Sequence, residues 1–359
     1  MNICVACGGT GGHIFPGLAT AQELRLRGHN VTLWLAGRDV EASSIEGWDG
    51  ATVSVQAVGF PKGISLQAIS TTLRLCGAVF ISWKKMRKLR PDAILAMGSY
   101  ASVGPVIAAY FCRIPVILHE ANAVPGRAIS FLARFSTRIG VAFPTAIDHL
   151  DANKTSITGF PLRKSLNNTL HIVNSSFSLL IMGGSQGAHV FNEILPEAIK
   201  SLYKQNTPIQ VIHLAGMNDA DDVEKRYKAA NIEAEVYAFA HDMASIYCKA
   251  DFAIARAGAA TCTELAVCGL PALLVPHPTA ARNHQMLNAM SMAKQGGMAL
   301  QPQHEVTIEW LVNYIKNLTE NRDQIENMRT KLKNSAIGNG TELLANLVEQ
   351  VTDPDSTDL

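Results

Sequence analysis

The chain has 359 residues, of which 48% are hydrophobic and 17% charged, with a formal net charge of +1. That length favours two domains over one, and the balanced charge excludes a global pull toward nucleic acid. No apolar run is long enough to span a bilayer, and the start shows no signal peptide. Seven scattered cysteines, an odd number, fit reduced thiols rather than a disulfide framework.

Asn2 to Cys7 is short, β-branched and apolar, the pattern of a buried parallel strand. Cys4 and Cys7 have C-x-x-C spacing, but inside a strand that offset puts them on opposite faces, against a redox or zinc pair. Gly8-Gly-Thr10-Gly11-Gly12-His13 follows, and Pro16 suits the first turn of a helix. Glycines there free the backbone, and the exposed N–H groups at a helix start make an anion site. His13 is a titratable group on its rim. The plainer reading is a turn that only packs strand on helix. The spacing is not G-x-G-x-x-G, and no Walker A lysine is present.

Strands are expected at 31–35, 53–58, 93–97, 116–118 and 139–142, separated by helical segments. This alternation predicts parallel βαβ units in a doubly wound sheet, with ligands at the carboxyl ends of the strands. Two further exits carry small or polar residues: Gly98-Ser-Tyr100-Ala-Ser-Val-Gly104-Pro105, and His119-Glu120-Ala-Asn122. They read either as one shared pocket or as separate caps and turns. Ahead of them, residues 64–90 mix apolar side chains with Lys84, Lys85, Arg87, Lys88 and Arg90. This is either a helix whose last turn complements its dipole or a membrane-surface patch.

The pattern breaks near Gly159-Phe-Pro-Leu-Arg163, and a polar, asparagine-rich stretch follows. Phe177 to Met182 then restarts the theme as a strand, with Gly183-Gly-Ser185-Gln-Gly-Ala188 as a second glycine loop. Further strands are expected at 211–214, 252–255 and 272–275. Two similar halves suggest two Rossmann-like domains facing one another. Arg256-Ala-Gly-Ala259-Ala260-Thr261-Cys262-Thr263-Glu264 follows the strand expected at 252–255. Thr261 and Thr263 suit phosphate or a helix cap, and Glu264 either complements the helix dipole or takes a ribose diol. Residues 277–288 form a polar cluster suited to a hydroxyl-rich ligand. Leu343, Leu344, Leu347, Val348 and Val351 make the stripe of a closing helix that could return to the first domain, and 352–359 reads as a frayed tail.

Taken in order, GGTGGHIFP, GSYASVGP, HEAN, GFPLR, GGSQGA, RAGAATCTE and NHQ resemble the family 28 glycosyltransferases of peptidoglycan synthesis over nearly the full length. Those enzymes add N-acetylglucosamine to the lipid-linked muramoyl-pentapeptide, lipid I, and yield lipid II. The resemblance implies an α/β GT-B fold of two Rossmann-like domains across a cleft: 1–158 on the acceptor and membrane side, with helix 341–351 packed back on it, and 159–338 for the nucleotide-sugar. It implies UDP-N-acetylglucosamine at Thr10, Gly11, Gly12, Asn122, Arg163, Ser185, Ala240, Ala259, Ala260, Thr261, Cys262, Thr263, Glu264 and Gln285. Within that set Ser185 sits near phosphate, the Ala240 backbone reads uracil, Glu264 takes the ribose and Gln285 the sugar. Gly98, Tyr100 and Gly104 fall on the acceptor side. Alanine at 240, where the family often has isoleucine, loosens packing around the base; Gly98-Ser99, where it usually has two glycines, departs on the acceptor side.

The expected mechanism is one in-line displacement with inversion, His13 as base and Glu120 as the alternative. No metal or other cofactor is expected. Asp219-Ala-Asp221 mimics a D-x-D metal motif but reads as the acidic start of a helix. A lipid-linked acceptor shifts the reading of 64–90 toward an anionic membrane surface, on the cytoplasmic face of the bacterial inner membrane. Expected partners are the two substrates, that surface and other proteins of cell-wall synthesis, with no nucleic acid. A UDP-sugar 2-epimerase and a non-catalytic nucleotide-sugar sensor remain as rivals.

Overall fold

The computed structural model describes residues 1–56, 66–166, 171–172, 176–184, 187–240, 242–334 and 339–352. The chain divides into two units, Met1–Arg163 with the chain from Asn339 onward, and Lys164–Gly338. The division follows Arg163 rather than residue 158, so Arg163 belongs to the first unit.

The first unit runs β1 (Asn2–Ala6), α1 (Gly11–Leu26), β2 (Asn30–Leu35), α2 (Asp39–Ser44), β3 (Ala51–Ser54), α3 (Leu66–Leu89), β4 (Ala93–Ala96), α4 (Val103–Phe111), β5 (Val116–Glu120), α5 (Arg127–Leu132), β6 (Arg138–Val141) and β7 (Thr155–Ile157). All pairings are parallel, in the order β3-β2-β1-β4-β5-β6-β7. β1 after Asn2, β4 and the first three residues of β5 are buried and apolar, as strands covered on both faces must be. Ile3, Val5 and Cys7 join one core with α1, while Cys4 and Ala6 join the core on the other face with Met86 of α3 and Val106 of α4. The two cysteines therefore lie on opposite faces, and burial pushes the Cys7 thiol up to about 12.

The second unit runs β8 (Ser178–Met182), α6 (His189–Lys204), β9 (Gln210–Leu214), α7 (Ala220–Ala229), β10 (Ala234–Tyr237), α8 (Met243–Lys249), β11 (Phe252–Ala255), α9 (Ala259–Val267), β12 (Ala272–Leu274), α10 (His284–Ala293), β13 (Met298–Leu300), α11 (Ile308–Glu320) and α12 (Arg322–Lys333). Its parallel sheet has the order β10-β9-β8-β11-β12-β13. The last helix, α13 (Gly340–Thr352), belongs to the first unit. Leu344, Leu347 and Val348 enter the core beside α1, whereas Leu343 is exposed. Thr341 Oγ1 donates to Leu162 O at 2.8 Å and accepts from Leu162 N–H at 3.1 Å, so this threonine anchors the helix to another segment instead of capping it.

Strand order fixes where each unit can hold a ligand. Neighbours of β1 lead away in opposite directions, β2 on one side and β4 on the other, so the loops leaving β1 and β4 open a crevice at the carboxyl edge. The same reversal occurs between β8 and β11. Both glycine loops leave a switch-point strand.

Candidate active site

In the first unit the chain leaves β1 through Cys7 into Gly8 and Gly9. A Cβ at Gly8 would lie 2.4 Å from Ala36 N, so only glycine fits against the end of β2. Gly9 has φ +129 and donates its N–H to Glu41 Oε1 at 2.7 Å. The buried Glu41 carboxylate also accepts from Ala36 N–H at 3.1 Å and Arg38 N–H at 3.1 Å, which fixes the loop from one side.

α1 begins at Gly11, so Gly11, Gly12 and His13 form its first turn and Pro16 lies inside the helix, later than the sequence suggested. Thr10 is the N-cap but makes no side-chain cap bond; its carbonyl accepts from His13 N–H at 2.9 Å, which leaves the N–H groups of Gly11 and Gly12 to a ligand or solvent. Its Oγ1 lies 3.1 Å from His13 Nδ1 instead. Burial lowers the His13 pKa from 6.5 to about 4, so the imidazole is neutral at pH 7. The ring packs near Gly98, where a Cβ would lie 3.6 Å from His13 Cδ2. Arg163 stacks over the Phe15 ring at 4.3 Å, and that ring covers Gly11.

The loop leaving β4 begins with Gly98 at φ +88 and Ser99 at φ +64. The Ser99 hydroxyl donates to Gly8 O at 2.7 Å and accepts from Ala101 N–H at 3.1 Å. Tyr100 is 41% exposed, which keeps its side chain reachable. Gly104 is buried in α4, where a Cβ would meet Ser82 Oγ of α3 at 3.0 Å; its glycine is explained by helix packing.

β5 ends in His119 and Glu120, both buried. His119 Nε2 lies 3.0 Å from Gly159 O, and Nδ1 has no partner among the described residues; burial lowers its pKa to about 4. Glu120 Oε1 accepts from Asn122 N–H at 2.8 Å and Asn122 Nδ2 at 3.1 Å, and Oε2 accepts from Gly126 N–H at 2.8 Å. Burial raises its pKa while these bonds oppose the rise. Occupied on both oxygens, Glu120 clamps the turn that presents Asn122.

In the second unit, Gly183 and Gly187 have no room for a side chain: their Cβ positions lie 2.1 Å from Ala188 N and 2.2 Å from Ala215 O. Ser185 lies outside the described residues. α6 starts beyond Ala188 with no side-chain cap. α9 also starts without one, after Gly258, so its first N–H groups, at Ala259, Ala260 and Thr261, face the same switch point. The residues of this turn divide by face. Cys262 is buried in the core, where its thiol is pushed up to about 12. Thr263 is buried and donates to Ala259 O at 3.0 Å, so its hydroxyl serves its own helix and reaches neither phosphate nor cap. Thr261 and Glu264 lie partly exposed on the other side. Tyr247 O–H donates to Glu264 Oε2 at 2.7 Å and orients it.

Arg256 is buried, stacks on Phe191 of α6 at 4.6 Å, and donates from Nη1 to Val275 O at 3.1 Å. Burial lowers its pKa, which stays far above neutrality for a guanidinium. It places a cation beside the start of α6. Two successive residues before α10, Arg282 and Asn283, have φ +54 and +56, a strained turn of the kind found at ligand clamps. It leads into Gln285, whose Oε1 accepts from His277 N–H at 2.9 Å. Ala240 is half-buried just before α8. Asp219 Oδ2 accepts from Asn192 Nδ2 at 2.7 Å and lies 3.1 Å from His189 Nδ1, which ties α7 to α6. Among the described residues no group of three or more His, Cys, Asp or Glu could hold a metal ion.

Residues 3–141 match the glycosyltransferase family 28 N-terminal domain and residues 178–344 match its C-terminal domain. The chain belongs to glycosyltransferase family 28. A curated family relative, the UDP-N-acetylglucosamine--N-acetylmuramyl-(pentapeptide) pyrophosphoryl-undecaprenol N-acetylglucosamine transferase of Anaeromyxobacter sp. (strain Fw109-5), is 36% identical, over 91% of this chain and 87% of that one. The crystal structure of Acinetobacter baumannii MurG superposes with a TM-score of 0.81 at 29% identity, covering 97% of this chain and 99% of that one. The UDP-GlcNAc 2-epimerase of Neisseria meningitidis superposes with a TM-score of 0.67 at 13% identity, covering 98% and 99%, a likeness of fold alone. The family fold, two parallel-sheet α/β domains of the GT-B kind, is the one expected.

Sequence reasoning about this family 28 chain missed Glu41, Tyr247 and the burial of Arg256. Each acts through contacts between elements far apart in the chain, such as Glu41 on Gly9 and Tyr247 on Glu264. Nothing local marks them. Ser99 was visible only as a departure from two glycines.

Proposed function

We propose that this glycosyltransferase moves N-acetylglucosamine from UDP-N-acetylglucosamine, with inversion, to the muramoyl 4-hydroxyl of lipid I, forming lipid II. The observation that carries the reading is the match along nearly the whole chain to relatives named for that transfer, with the matched motifs at two switch points. The second unit holds the donor: the N-terminal turns of α6 and α9 address the diphosphate, Arg256 adds charge, Glu264 takes the ribose diol and Gln285 the sugar. Ser185 stands in this set near phosphate, and Ala240 lends its backbone to uracil.

The first unit supplies the proton acceptor. Thr10 Oγ1 lies 3.1 Å from His13 Nδ1, and this role requires the tautomer that donates from Nδ1 to that hydroxyl and leaves the Nε2 lone pair for the acceptor hydroxyl. Glu120, saturated by three N–H groups, suits this task less well than it suits holding Asn122. Thr10, Gly11, Gly12 and Arg163 present N–H groups and a cation at the start of α1, and Gly98 and Tyr100 address the acceptor. With Asp219 bonded to Asn192 and His189, no divalent ion is assigned a role, and turnover is expected to persist in EDTA.

The chain works from a membrane surface. Among the described residues no helix is long and apolar enough to cross a bilayer. α3 nonetheless exposes Leu73, Phe80 and Ile81, with Lys84 stacked on Phe80 at 4.6 Å and Arg87 on Trp83 at 5.0 Å. Neighbouring α4 exposes Tyr110 and Phe111. Apolar side chains dip in and cations meet anionic lipid at about 1 kcal/mol each. Replacing Lys84, Lys85, Arg87 and Lys88 by glutamine should reduce flotation with anionic vesicles by over tenfold; unchanged flotation removes the membrane assignment.

The deciding experiment is transfer of radiolabelled sugar to a lipid I analogue. Label in the lipid fraction, with UDP released only when lipid I is present, supports the reading. Release without acceptor, with epimerisation of the sugar, would make the chain an epimerase; binding of UDP-N-acetylglucosamine with no turnover would make it a sensor.

A further inference from the structure

The loop leaving β4 contains a residue whose backbone suits glycine and whose side chain is not glycine. Ser99 has φ +64 and ψ 168, a region almost reserved for residues without a Cβ. Glycine would sit there unstrained, so what serine adds is its hydroxyl. That hydroxyl both donates and accepts: it donates to Gly8 O at 2.7 Å and accepts from Ala101 N–H at 3.1 Å. Its fit is close, since a Cβ on Gly9 would come within 3.1 Å of Ser99 Oγ.

We propose that Ser99 is a positioning residue that ties the loop leaving β1 to the loop leaving β4 and thereby sets His13 against Tyr100. β1 and β4 are adjacent, with Ala6 opposite Ala96, and their loops part at the switch point. Backbone hydrogen bonding between the strands reaches Met97 N–H on Ala6 O at 2.9 Å. Beyond it the Ser99 hydroxyl continues the join across the opening. Glu41 holds Gly9 from the β2 side, and Ser99 holds Gly8 from the β4 side. The start of α1, which carries His13, is thus fixed from both flanks, and the same hydroxyl caps the turn Tyr100–Ser102. This inference rests on the reading above, in which these two loops address the acceptor.

The strain gives the test its sign. Ser99→Gly removes both the strain and the tie, whereas Ser99→Ala removes the tie and keeps the strain. For a positioning residue, Ser99→Gly melts at or above the wild-type temperature, yet kcat/KM for a lipid I analogue falls about tenfold, because small misplacements at a reacting centre cost rate steeply. KM for UDP-N-acetylglucosamine changes less than about twofold, since uniform binding of the donor is untouched. Ser99→Ala loses activity similarly and melts lower. Amide hydrogen exchange at Gly9 to Ile14 should quicken in both variants, a readout that needs no substrate. A parallel fall of stability and of both KM values would make Ser99 a structural staple and overturn the proposal. Wild-type kinetics or wild-type exchange in Ser99→Gly would overturn it as well. Wild-type protein that transfers no sugar to lipid I would sink the functional reading instead, and the exchange comparison would still decide whether the tie exists.

Discussion

At the start of α1, burial holds the His13 imidazole neutral down to about pH 4. A base this weak is poorly matched to pH 7, so its contribution belongs at the low end of general-base catalysis, about 10² in rate. His13→Ala should therefore lower kcat about 100-fold with a small change in donor KM. Its pKa is depressed, so the working form is lost only as pH falls through about 4. A kcat/KM profile flat from about pH 5 to 7 is the expected outcome, and an acid limb centred near the ordinary histidine value of about 6.5 would remove His13 from the role. How far single residues were legible follows the same logic of surroundings. His13, Glu264 and Thr261 could be picked out as strings after a strand. Cys262 and Thr263 belong to the same string, yet the turn of α9 carries them into the core. Only a helix phase fixed by tertiary packing distinguishes them.

Among elements, the glycine loop leaving β8 shows what its sequence encodes and what it does not. Gly184 has φ +91 with open space around it among the described residues, whereas Gly187 has φ +76 and would drive a Cβ to 2.2 Å from Ala215 O. The carbonyl of Ala215 also accepts from Asn192 Nδ2 at 2.9 Å. Gly184→Ala should cost about 1–2 kcal/mol, the ordinary penalty of that backbone region. Gly187→Ala should cost more than twice as much, because a backbone carbonyl and its buried partner must move. Urea unfolding of the two variants measures the difference, and equal losses would mean that the loop relaxes freely. The strands missed from the sequence are β7, β10 and β13, each at an edge of its sheet. An edge strand is covered on fewer sides, so Thr155–Ile157 and Ala234–Tyr237 lack the apolar run that reveals a central strand. Central strands such as β11 matched their expected limits because burial on both faces forces their composition.

For the whole molecule, the two units share a vulnerability to acid that no motif predicts. Each carries a fully buried histidine held neutral, His119 with a pKa lowered to about 4 and His213 with one lowered to about 3, both through burial. His213 spends its ring nitrogens on Tyr227 Oη and Asn192 Oδ1, each at 3.0 Å. In the unfolded chain both titrate near about 6.5. Below that pH the unfolded state takes up protons that the folded state refuses until about 4 for His119 and about 3 for His213. The unfolded state then binds more protons, so stability falls as pH falls, by up to about 1.4 kcal/mol per pH unit for each histidine. Glu120 opposes this in the first unit: its raised pKa lets the folded state take a proton earlier than the unfolded one. His13, whose pKa burial also lowers to about 4, adds to the loss in the first unit, so both units should lose stability between about pH 6.5 and 4. Urea midpoints across that window should drop, and His213→Gln should lower stability at pH 7 while flattening the slope. A slope that survives His213→Gln would place the acid sensitivity in the first unit, in His13 and His119, whose pKa values burial lowers to about 4.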